Sequence, residues 1–303
     1  MPELRFDDRV AVVTGGGRGV GRSHALLLAA RGARVVVADH GGGIDGKGSS
    51  SAPADEVAAA IKAAGGSAVA CHASVADEDG AASVVAAAID TYGRLDIVVN
   101  NAGIHEAALF PELSTAQFQR MLDVHFFGAL FVTRAAWPHF VGAGYGRVVN
   151  TVSEAMLGGI PELSSYGSAK GAVFGLTRNL ATEGADAGIR VNAVAPRAYT
   201  RMSASHADKL SALMSMPKEV MDQINASMPP EQCAPAMAFL AHHDCPLNGE
   251  VLQAGMGGVA RIAVVYARGI NGTSITPEDI ATHLDQVMDL TSAITPDTAA
   301  ITQ

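Results

Sequence analysis

The chain has 303 residues, of which 49% are hydrophobic and 17% are charged, and its formal net charge at pH 7 is −9. This length allows one domain of about 250 residues with extensions and a sizeable core. An acidic chain argues against a nucleic-acid partner, which requires a basic surface, and the sequence has no run of about 18 uncharged apolar residues that would cross a membrane.

Short apolar runs alternate with longer, alanine-rich helical stretches. The runs lie at 10–14, 34–38, 67–71, 95–99, 146–152, 189–195 and about 250–254. This alternation predicts an α/β fold, a Rossmann-type doubly wound parallel sheet of about seven strands, with ligands beyond the carboxyl ends of the strands. We assign residues 1–258 to one dinucleotide-binding domain. Residues 259–303 form a carboxyl-terminal extension that packs on the domain or at a subunit interface.

The first apolar run ends at a turn that contains several glycines. Gly15, Gly19 and Gly21 follow the run, and a helix-like stretch from Val20 to Arg31 begins at once. Strand, glycine turn and helix are typical of a dinucleotide site, because glycines let the backbone approach a pyrophosphate at the positive end of the helix. The spacing differs from the commonest Gly-x-Gly-x-x-Gly fingerprint. We predict that these glycines bind a dinucleotide.

The second apolar run ends at Asp39, which bears on the choice of cofactor. A carboxylate there accepts hydrogen bonds from the adenosine ribose and repels a 2′-phosphate, which favours NAD over NADP. Arg18, inside the glycine turn, could contact such a phosphate and argues for NADP. We predict NAD, because a carboxylate facing a phosphate costs more free energy than a surface arginine recovers. Residues 40–53, rich in Gly and Ser, are either a surface loop or a segment that folds over the adenosine.

A tyrosine and a lysine stand four residues apart at Tyr166 and Lys170, and Ser153 precedes them. Side chains at this spacing are neighbours on one face of a helix. A free tyrosine has a pKa of about 10, and a nearby ammonium stabilises the phenolate and lowers that pKa. Lowering it to about 7 requires roughly 4 kcal/mol. The pattern predicts proton transfer by Tyr166 at neutral pH.

Together these motifs resemble those of the classical short-chain dehydrogenase/reductase family. The similarity runs from about Phe6 to Gly258 and rests on Thr14 to Gly21, Asn100-Asn101-Ala102-Gly103, Ser153, Tyr166-x-x-x-Lys170 and Asn192 to Pro196. Within the family, the chain is most similar to the (3R)-hydroxyacyl-CoA dehydrogenase part of the peroxisomal multifunctional enzyme type 2. That similarity rests on the Gly41-rich insertion, Ser74-Val75, Val124-His125, Thr133 to Trp137, Arg201-Met202 and Ile275 to Asp279.

The resemblance implies a role for each matching position. Tyr166 would be the general acid/base, Lys170 would lower its pKa and hold the nicotinamide ribose, and Ser153 would hydrogen-bond the substrate oxygen. Further cofactor contacts would come from Ser74, Val75, Asn101, Ala102, Gly103, Pro196 and Thr200. Among these, residues 101–103 would line the inner ribose, and the last two would hold the nicotinamide carboxamide.

Three positions need separate comment. His125 stands where the family usually has an asparagine that anchors a water for proton relay, so it either makes a core hydrogen bond or joins the relay. Arg197 replaces the usual glycine after Pro196. Glu154, directly after Ser153, is expected to point at solvent or to orient a neighbour rather than to act in catalysis.

His242-His243-Asp244-Cys245 contains residue types that bind metals. Adjacent side chains point in different directions and no distant second pair is evident, so we predict a helix end and no metal site. The cysteines, at 71, 233 and 245, lack disulfide or metal spacing, which fits a reducing compartment. The amino terminus lacks the apolar core of a signal peptide, and the carboxyl end shows no peroxisomal signal. We expect a cytoplasmic protein.

Residues 197–230 are rich in methionine, a side chain that adapts to varied apolar ligands. They are either a substrate lid, which we prefer, or ordinary packed helices. Four basic residues in and around this segment could form a rim for the phosphates of CoA: Arg197, Arg201, Lys209 and Lys218.

The sequence therefore predicts an NAD-dependent oxidoreductase that interconverts a secondary alcohol and a ketone. Its substrate, from the resemblance alone, is a (3R)-3-hydroxyacyl-CoA, and the active form is a homodimer or homotetramer. A steroid or other bulky secondary alcohol is the alternative substrate. A non-catalytic NAD-binding sensor is the alternative of another class, and it would not need the Ser-Tyr-Lys set.

Overall fold

The strands of the chain form one sheet, and its order positions the predicted site. A computed structural model describes residues 3–204 and 217–296. The strands are β1 (Val10–Thr14), β2 (Arg34–Ala38), β3 (Ser67–Cys71), β4 (Ile97–Asn100), β5 (Gly146–Thr151), β6 (Ile189–Arg197), β7 (Val251–Gly255) and β8 (Gly258–Ile262). Their order across the sheet is β3-β2-β1-β4-β5-β6-β7-β8. β1 to β7 are parallel, and β8 is antiparallel to β7.

Helices connect the strands and cover both faces of the sheet. They are α1 (Gly19–Ala30), α2 (Ala52–Ala63), α3 (Glu78–Tyr92), α4 (Thr115–Leu122), α5 (Gly128–Ala143), α6 (Ser164–Glu183), α7 (Arg201–Ala204), α8 (Lys218–Ala226), α9 (Ala234–Ala241), α10 (Pro277–Thr282) and α11 (Leu284–Val287). A π-helical segment, Asp123–Phe127, joins α4 to α5. The predicted α/β class and Rossmann-type doubly wound arrangement are confirmed. Within the described residues, none of the helices is both long and apolar enough to span a lipid bilayer.

Alternation along the strands places a hydrophobic core on each face. In β1, Ala11 and Val13 belong to the cluster that includes α1, α2 and α9, whereas Val10 and Val12 belong to the cluster that includes α3 and α5. All four side chains are fully buried. Because parallel strands are buried on both faces, they read as continuous apolar runs, which is why the sequence predicts seven of the strands.

The sheet of the described residues has eight strands rather than the predicted seven. β8 lies at the start of the segment assigned to the carboxyl-terminal extension, and it follows β7 through a turn in which Met256 and Gly257 have φ of +53° and +74°. The residues of β8 are mostly exposed, so they lack the buried pattern by which the other strands are predicted. Further along, the Thr276 hydroxyl accepts a hydrogen bond from the Asp279 amide at 3.1 Å and caps α10.

The carboxyl ends of the parallel strands bring six predicted site positions to one edge of the sheet. They are Gly15 after β1, Asp39 after β2, Ser74 after β3, Asn101 after β4, Ser153 after β5 and Pro196 at the end of β6. The predicted lid, 197–230, contains α7 and α8. Its residues 205–216, with Lys209, lie outside the described part of the chain.

Candidate active site

The glycine turn after β1 forms a cradle at the start of α1. Gly15 and Gly19 have φ of +59° and +51°, values that favour glycine. A Cβ atom at Gly21 would lie 2.1 Å from the Gly15 carbonyl oxygen, so only glycine fits. Arg18 is the N-cap residue of α1, and its side chain forms no capping hydrogen bond with the first amides of the helix. The first amides of α1 are therefore available to an anion, and the cradle fits the pyrophosphate of a dinucleotide.

Asp39 holds the glycine turn and the following insertion together. Its carboxylate oxygens accept hydrogen bonds from the Gly17 and Gly41 amides, each at 2.8 Å. A carboxylate oxygen can accept more than one hydrogen bond, so the predicted ribose contact is compatible with these bonds. Arg18 donates a hydrogen bond to the Gly42 carbonyl at 3.3 Å. Asp39 and Arg18, which bear on the choice between NAD and NADP, thus both contact the Gly/Ser-rich residues 40–53.

The Gly/Ser-rich residues 40–53 pack against the segment that follows β4. The His105 amide donates a hydrogen bond to the Ile44 carbonyl at 2.8 Å. A Cβ atom at Gly46 would lie 3.1 Å from the Ile104 side chain. The insertion thus contacts the segment after β4, and both interpretations, a surface loop and a segment that folds over the adenosine, stay predictions.

Asn101 stabilises the glycine turn from the neighbouring strand. Its side-chain amide donates hydrogen bonds to the carbonyls of Thr14 and Gly15, at 3.0 Å and 3.1 Å. The Thr14 hydroxyl in turn accepts hydrogen bonds from the Asn101 and Ala102 amides, at 3.0 Å and 3.1 Å. Residues 101–103 therefore lie beside the turn, and the Asn101 amide is engaged with the protein backbone.

The remaining predicted cofactor positions lie at the same edge. The Ser74 hydroxyl accepts a hydrogen bond from the amide two residues further on at 3.1 Å, and Val75 is buried. The Thr200 methyl group would lie 3.4 Å from a Cβ atom at Gly19, so the segment after β6 approaches the glycine turn. Pro196, at the end of β6, is the register partner of a β7 residue.

Tyr166 and Lys170 project from the first turns of α6 toward the end of β5. The Lys170 side chain is buried, and its ammonium donates a hydrogen bond to the Thr151 carbonyl at 2.6 Å. Lys170 Nζ lies 5.7 Å from the centre of the Tyr166 ring. Ser153 forms a hydrogen bond with the Tyr166 side chain. The three residues predicted to act in catalysis therefore meet in one place.

The pKa of Tyr166 shifts in the direction opposite to the sequence prediction. Desolvation raises the pKa of Tyr166 above 10.0, and the hydrogen bond with Ser153 lowers that pKa by a smaller amount. Burial lowers the pKa of Lys170 from 10.5 to about 7. Lys170 is not among the groups that lower the pKa of Tyr166 in this structure, contrary to the prediction.

His125 lies in the π-helical segment, with its ring centre 5.2 Å from that of Tyr166. Its Nε2 lies 2.8 Å from the Ile104 carbonyl oxygen and 3.2 Å from the Ile104 amide nitrogen, so it donates to the carbonyl or accepts from the amide according to the tautomer of the ring. Burial lowers the pKa of His125 well below 6.5, so the ring is neutral at pH 7. His125, Thr151 and Lys170 line a cavity of about 10 Å³, close to the size of one water molecule. The core hydrogen bond is present, and the relay role stays a prediction.

A second imidazole flanks Tyr166, and the sequence gives no sign of it. The ring centre of His105 lies 5.8 Å from that of Tyr166, at an interplanar angle of 79°. The next residue, Glu106, forms an ion pair with Arg120 of α4 at 2.8 Å, which fixes this irregular segment. Because the segment is neither helix nor strand, no periodicity indicates that His105 turns toward the tyrosine.

The basic residues predicted to form a rim do not act as one group. Arg197 forms an ion pair with Glu154 at 2.8 Å, and Lys218 forms one with Asp222 at 2.8 Å. Lys209 lies outside the described residues. Two of the four charges are therefore already matched by carboxylates, so the rim as predicted loses much of its attraction for a phosphate.

Arg201, the remaining residue of the predicted rim, lies near the glycine turn and the end of β2. Burial lowers the pKa of Arg201, the positive charge of Arg18 lowers it further, and the Asp39 carboxylate raises it. Those two neighbours belong to the glycine turn and to the end of β2. Arg201 therefore lies near groups that are predicted to meet the dinucleotide.

The possible metal ligands after α9 are engaged with the protein. The possible ligand atoms of His242, His243 and Asp244 all lie within 4.8 Å of one another. His242 Nε2 hydrogen-bonds the Arg5 carbonyl at 3.0 Å, and its Nδ1 accepts a hydrogen bond from the Asp244 amide at 3.2 Å. The cluster follows the last residue of α9, as the predicted helix end requires.

Exposed apolar side chains stand in the segments that follow β4, β5 and β6. They are Leu109, Phe110, Leu157, Ile160 and Tyr199, and we call this set the apolar mouth. The loop after β4 and the loop after β5 touch where the Ala108 amide donates a hydrogen bond to the Glu162 carbonyl at 3.3 Å. Apolar surface beside a few convergent polar groups is typical of a site for a largely apolar ligand.

Comparison with known proteins identifies relatives along most of the chain. A family model described as short chain dehydrogenase matches residues 9–210. A putative short-chain type dehydrogenase/reductase of Mycobacterium tuberculosis is 42% identical over 294 residues, which cover 97% of this chain and 98% of that protein. The peroxisomal multifunctional enzyme type 2 of Mus musculus is 36% identical over 302 residues, which cover 97% of this chain and 38% of that enzyme. The chain thus spans nearly all of the first relative and about two fifths of the second.

A solved structure adds a likeness in three dimensions. The structure of 7α-hydroxysteroid dehydrogenase complexed with NADH and 7-oxo glycochenodeoxycholic acid superposes with a TM-score of 0.72 at 28% identity. The match covers 85% of this chain and 98% of that protein.

Proposed function

Because the chain belongs to the short-chain dehydrogenase family, and is thus an oxidoreductase that acts on CH–OH groups, we propose that it interconverts a secondary alcohol and a ketone with NAD. We further propose a (3R)-3-hydroxyacyl-CoA as its substrate. The observation that carries the proposal is the meeting of Ser153, Tyr166 and Lys170 beside the glycine turn, in a fold whose ligands bind at that edge.

Ser153, Tyr166 and Lys170 carry out the protein's share of the reaction. A bound nicotinamide would supply the hydride chemistry. In oxidation, Tyr166 as phenolate takes the proton of the substrate hydroxyl, and Ser153 hydrogen-bonds the same oxygen. Because desolvation raises the pKa of Tyr166, formation of the phenolate costs free energy, and the positive charges of Lys170 in its ammonium form and of a bound oxidised nicotinamide would offset that cost. General-base assistance of this kind is worth about 10²–10⁴-fold in rate.

The preference for NAD rests on Asp39. Its carboxylate is held by the Gly17 and Gly41 amides at the end of β2, where it would face a 2′-phosphate with a negative charge. Arg18, the residue that argues for NADP, donates to the Gly42 carbonyl and is partly engaged. The hydroxysteroid dehydrogenase of similar structure is complexed with NADH, which supports the same choice.

The apolar mouth supports a substrate with a sizeable apolar part. An acyl chain fits this description, and one relative is a peroxisomal multifunctional enzyme type 2. A steroid or other bulky secondary alcohol fits it too, and the 7α-hydroxysteroid dehydrogenase likeness favours that second candidate. A non-catalytic NAD sensor would need the glycine turn but not the Ser-Tyr-Lys set, so the presence of the set argues against it.

The test is NADH formation across a panel of alcohols. We expect turnover with (3R)-3-hydroxyacyl-CoAs, much less with their 3S isomers and with hydroxysteroids, and higher kcat/KM with NAD than with NADP. Tyr166→Phe should lose about 10²-fold or more of the turnover, because it removes the proton acceptor, while NAD still binds.

Two results would contradict the proposal in different ways. Full turnover by Tyr166→Phe would remove the mechanism. Turnover of hydroxysteroids without turnover of any hydroxyacyl-CoA would replace the substrate and keep the mechanism. Titration of NAD binding in the variant serves as the control for folding.

A further inference from the structure

Glu154 and Arg197 form a two-point ion pair beside the site. Arg197 Nε donates to one carboxylate oxygen of Glu154 and Nη2 donates to the other, each at 2.8 Å. The planar guanidinium matches both oxygens at once, and this geometry fixes orientation as well as distance. The usual family residue after Pro196 is glycine, which could not form such a pair.

The pair joins two segments that carry proposed site residues. Glu154 directly follows Ser153, whose hydroxyl accepts a hydrogen bond from the Ala155 amide at 3.2 Å and caps the short turn Glu154–Leu157. Arg197 directly follows Pro196 at the end of β6. The ion pair therefore links the serine turn to the strand end that is predicted to meet the nicotinamide.

Arg197 is firmly anchored on its backbone side. In the sheet it lies opposite Gly255 of β7, where a Cβ atom would come within 2.1 Å of the Arg197 carbonyl oxygen. The Cys233 thiol lies 3.8 Å from the same oxygen. Because the strand end is held in place, the guanidinium acts as a fixed point to which the serine turn is attached.

We propose that the Glu154–Arg197 ion pair is a positioning device that sets the Ser153 hydroxyl against the reacting oxygen of the substrate. The inference rests on the proposed role of Ser153. In this arrangement both charged residues act through the serine, as positioning residues and not as catalytic ones.

Stability alone does not account for the pair. The side chains are 42% and 38% exposed, and ion pairs with this exposure contribute little to the free energy of unfolding. A displacement of a reacting group by about 1 Å, in contrast, can cost about 10²-fold in rate. The expected effect of breaking the pair is therefore on turnover and not on folding.

The experiment measures kcat, KM, NAD affinity and melting temperature for Glu154→Gln, Arg197→Lys and the exchanged double variant Glu154→Arg/Arg197→Glu. We expect each single variant to lose about tenfold in kcat, equivalent to about 1.4 kcal/mol. NAD affinity and melting temperature should stay close to those of the unchanged protein. Arg197→Lys retains the charge and loses the two-point contact, so it tests geometry. The exchanged variant should recover part of the lost kcat.

A matched control is the Glu250–Arg261 pair, which has the same two-point geometry at 2.7 Å and 2.8 Å. Glu250 precedes β7 and so lies at the opposite edge of the sheet. Glu250→Gln should leave kcat unchanged. An equal loss of kcat in this control, or a loss that tracks the melting temperature, would overturn the positioning role.

Ser153→Ala separates this inference from the proposed function. If Ser153→Ala is inactive and both single variants of the ion pair keep full kcat, the positioning device is wrong and the proposed function stands. If Ser153→Ala keeps full turnover, the role of the serine is wrong and the positioning device falls with it.

Discussion

At the scale of single residues, the buried lysine dominates the electrostatics of the site. Lys170 is 3% exposed, and burial lowers its pKa from 10.5 to about 7. Between these two values the unfolded chain binds more protons at this position than the folded chain does. Stability therefore rises with pH across this window, and the charged lysine destabilises the fold most at pH 7 and below.

Replacing the lysine should therefore stabilise the fold while it abolishes catalysis. We expect Lys170→Met to raise the free energy of unfolding by roughly 1–2 kcal/mol at pH 7, since the hydrogen bond that is lost offsets part of the relieved desolvation. The gain should shrink as the pH approaches 10. Urea denaturation at pH 6.5, 8 and 9.5 measures it, and a variant that is less stable at pH 6.5 than the unchanged protein would contradict the assigned pKa.

At the same scale, the sequence predicts which residues meet but not how they are charged. The helical spacing of Tyr166 and Lys170, and the strand end before Ser153, are local features that survive in the structure. The direction of the tyrosine pKa is wrong in the prediction. It depends on how deeply both side chains are buried, and burial is decided by the packing of α4 and the π-helical segment against α6.

At the scale of elements, α1 carries both the cradle and an unusual core residue. His24 has no exposed area, and neither of its ring nitrogens has a hydrogen-bond partner within the described residues. Desolvation lowers the pKa of His24 from 6.5 to about 3. The ring is neutral when the protein is folded, so the unfolded chain binds the additional proton between pH 3 and 6.5, and stability falls as the pH drops through that range.

An apolar side chain of similar size should suit this position in α1 better. We expect His24→Leu to stabilise the protein by about 1 kcal/mol at pH 8, because buried polar atoms without partners are costly. The gain should be larger at pH 5, where the histidine is charged in the unfolded chain. Denaturation at the two pH values provides the measurement, and an equal or smaller gain at pH 5 would refute the explanation.

At the scale of the whole molecule, the last described part of the chain exposes many apolar side chains. Its members are Val259, Val264, Val265, Tyr266, Ile275, Ile280, Leu284, Met288 and Leu290, and we call this set the carboxyl-terminal face. The edge strand β8 adjoins it, with backbone groups on its outer side that another strand could pair. A monomer seldom exposes so many apolar side chains in one region, so we expect a second copy of the chain to cover them.

Charges placed on this face should weaken the assembly. We expect the unchanged protein to sediment as a homodimer or homotetramer and Met288→Glu/Leu290→Glu to shift it to a smaller species, because burying a carboxylate in an apolar interface is unfavourable. Val220→Glu, on α8, is the matched control and should leave the mass unchanged. Sedimentation velocity gives both results, and a monomeric unchanged protein would rule the interface out.

The cytoplasmic location stays a prediction, since one relative is peroxisomal by name.

The sequence alone determined the seven parallel strands, the helices that connect them and the edge at which the site lies. It could do so because parallel strands are continuous apolar runs, and because their connections return every strand end to one side. Only the tertiary structure decided the contacts between segments that are distant in the chain: Glu154 with Arg197, His105 beside Tyr166, and Ile44 with His105. These contacts depend on the paths of irregular loops and on burial, and neither is encoded in a local period that could be read from the sequence.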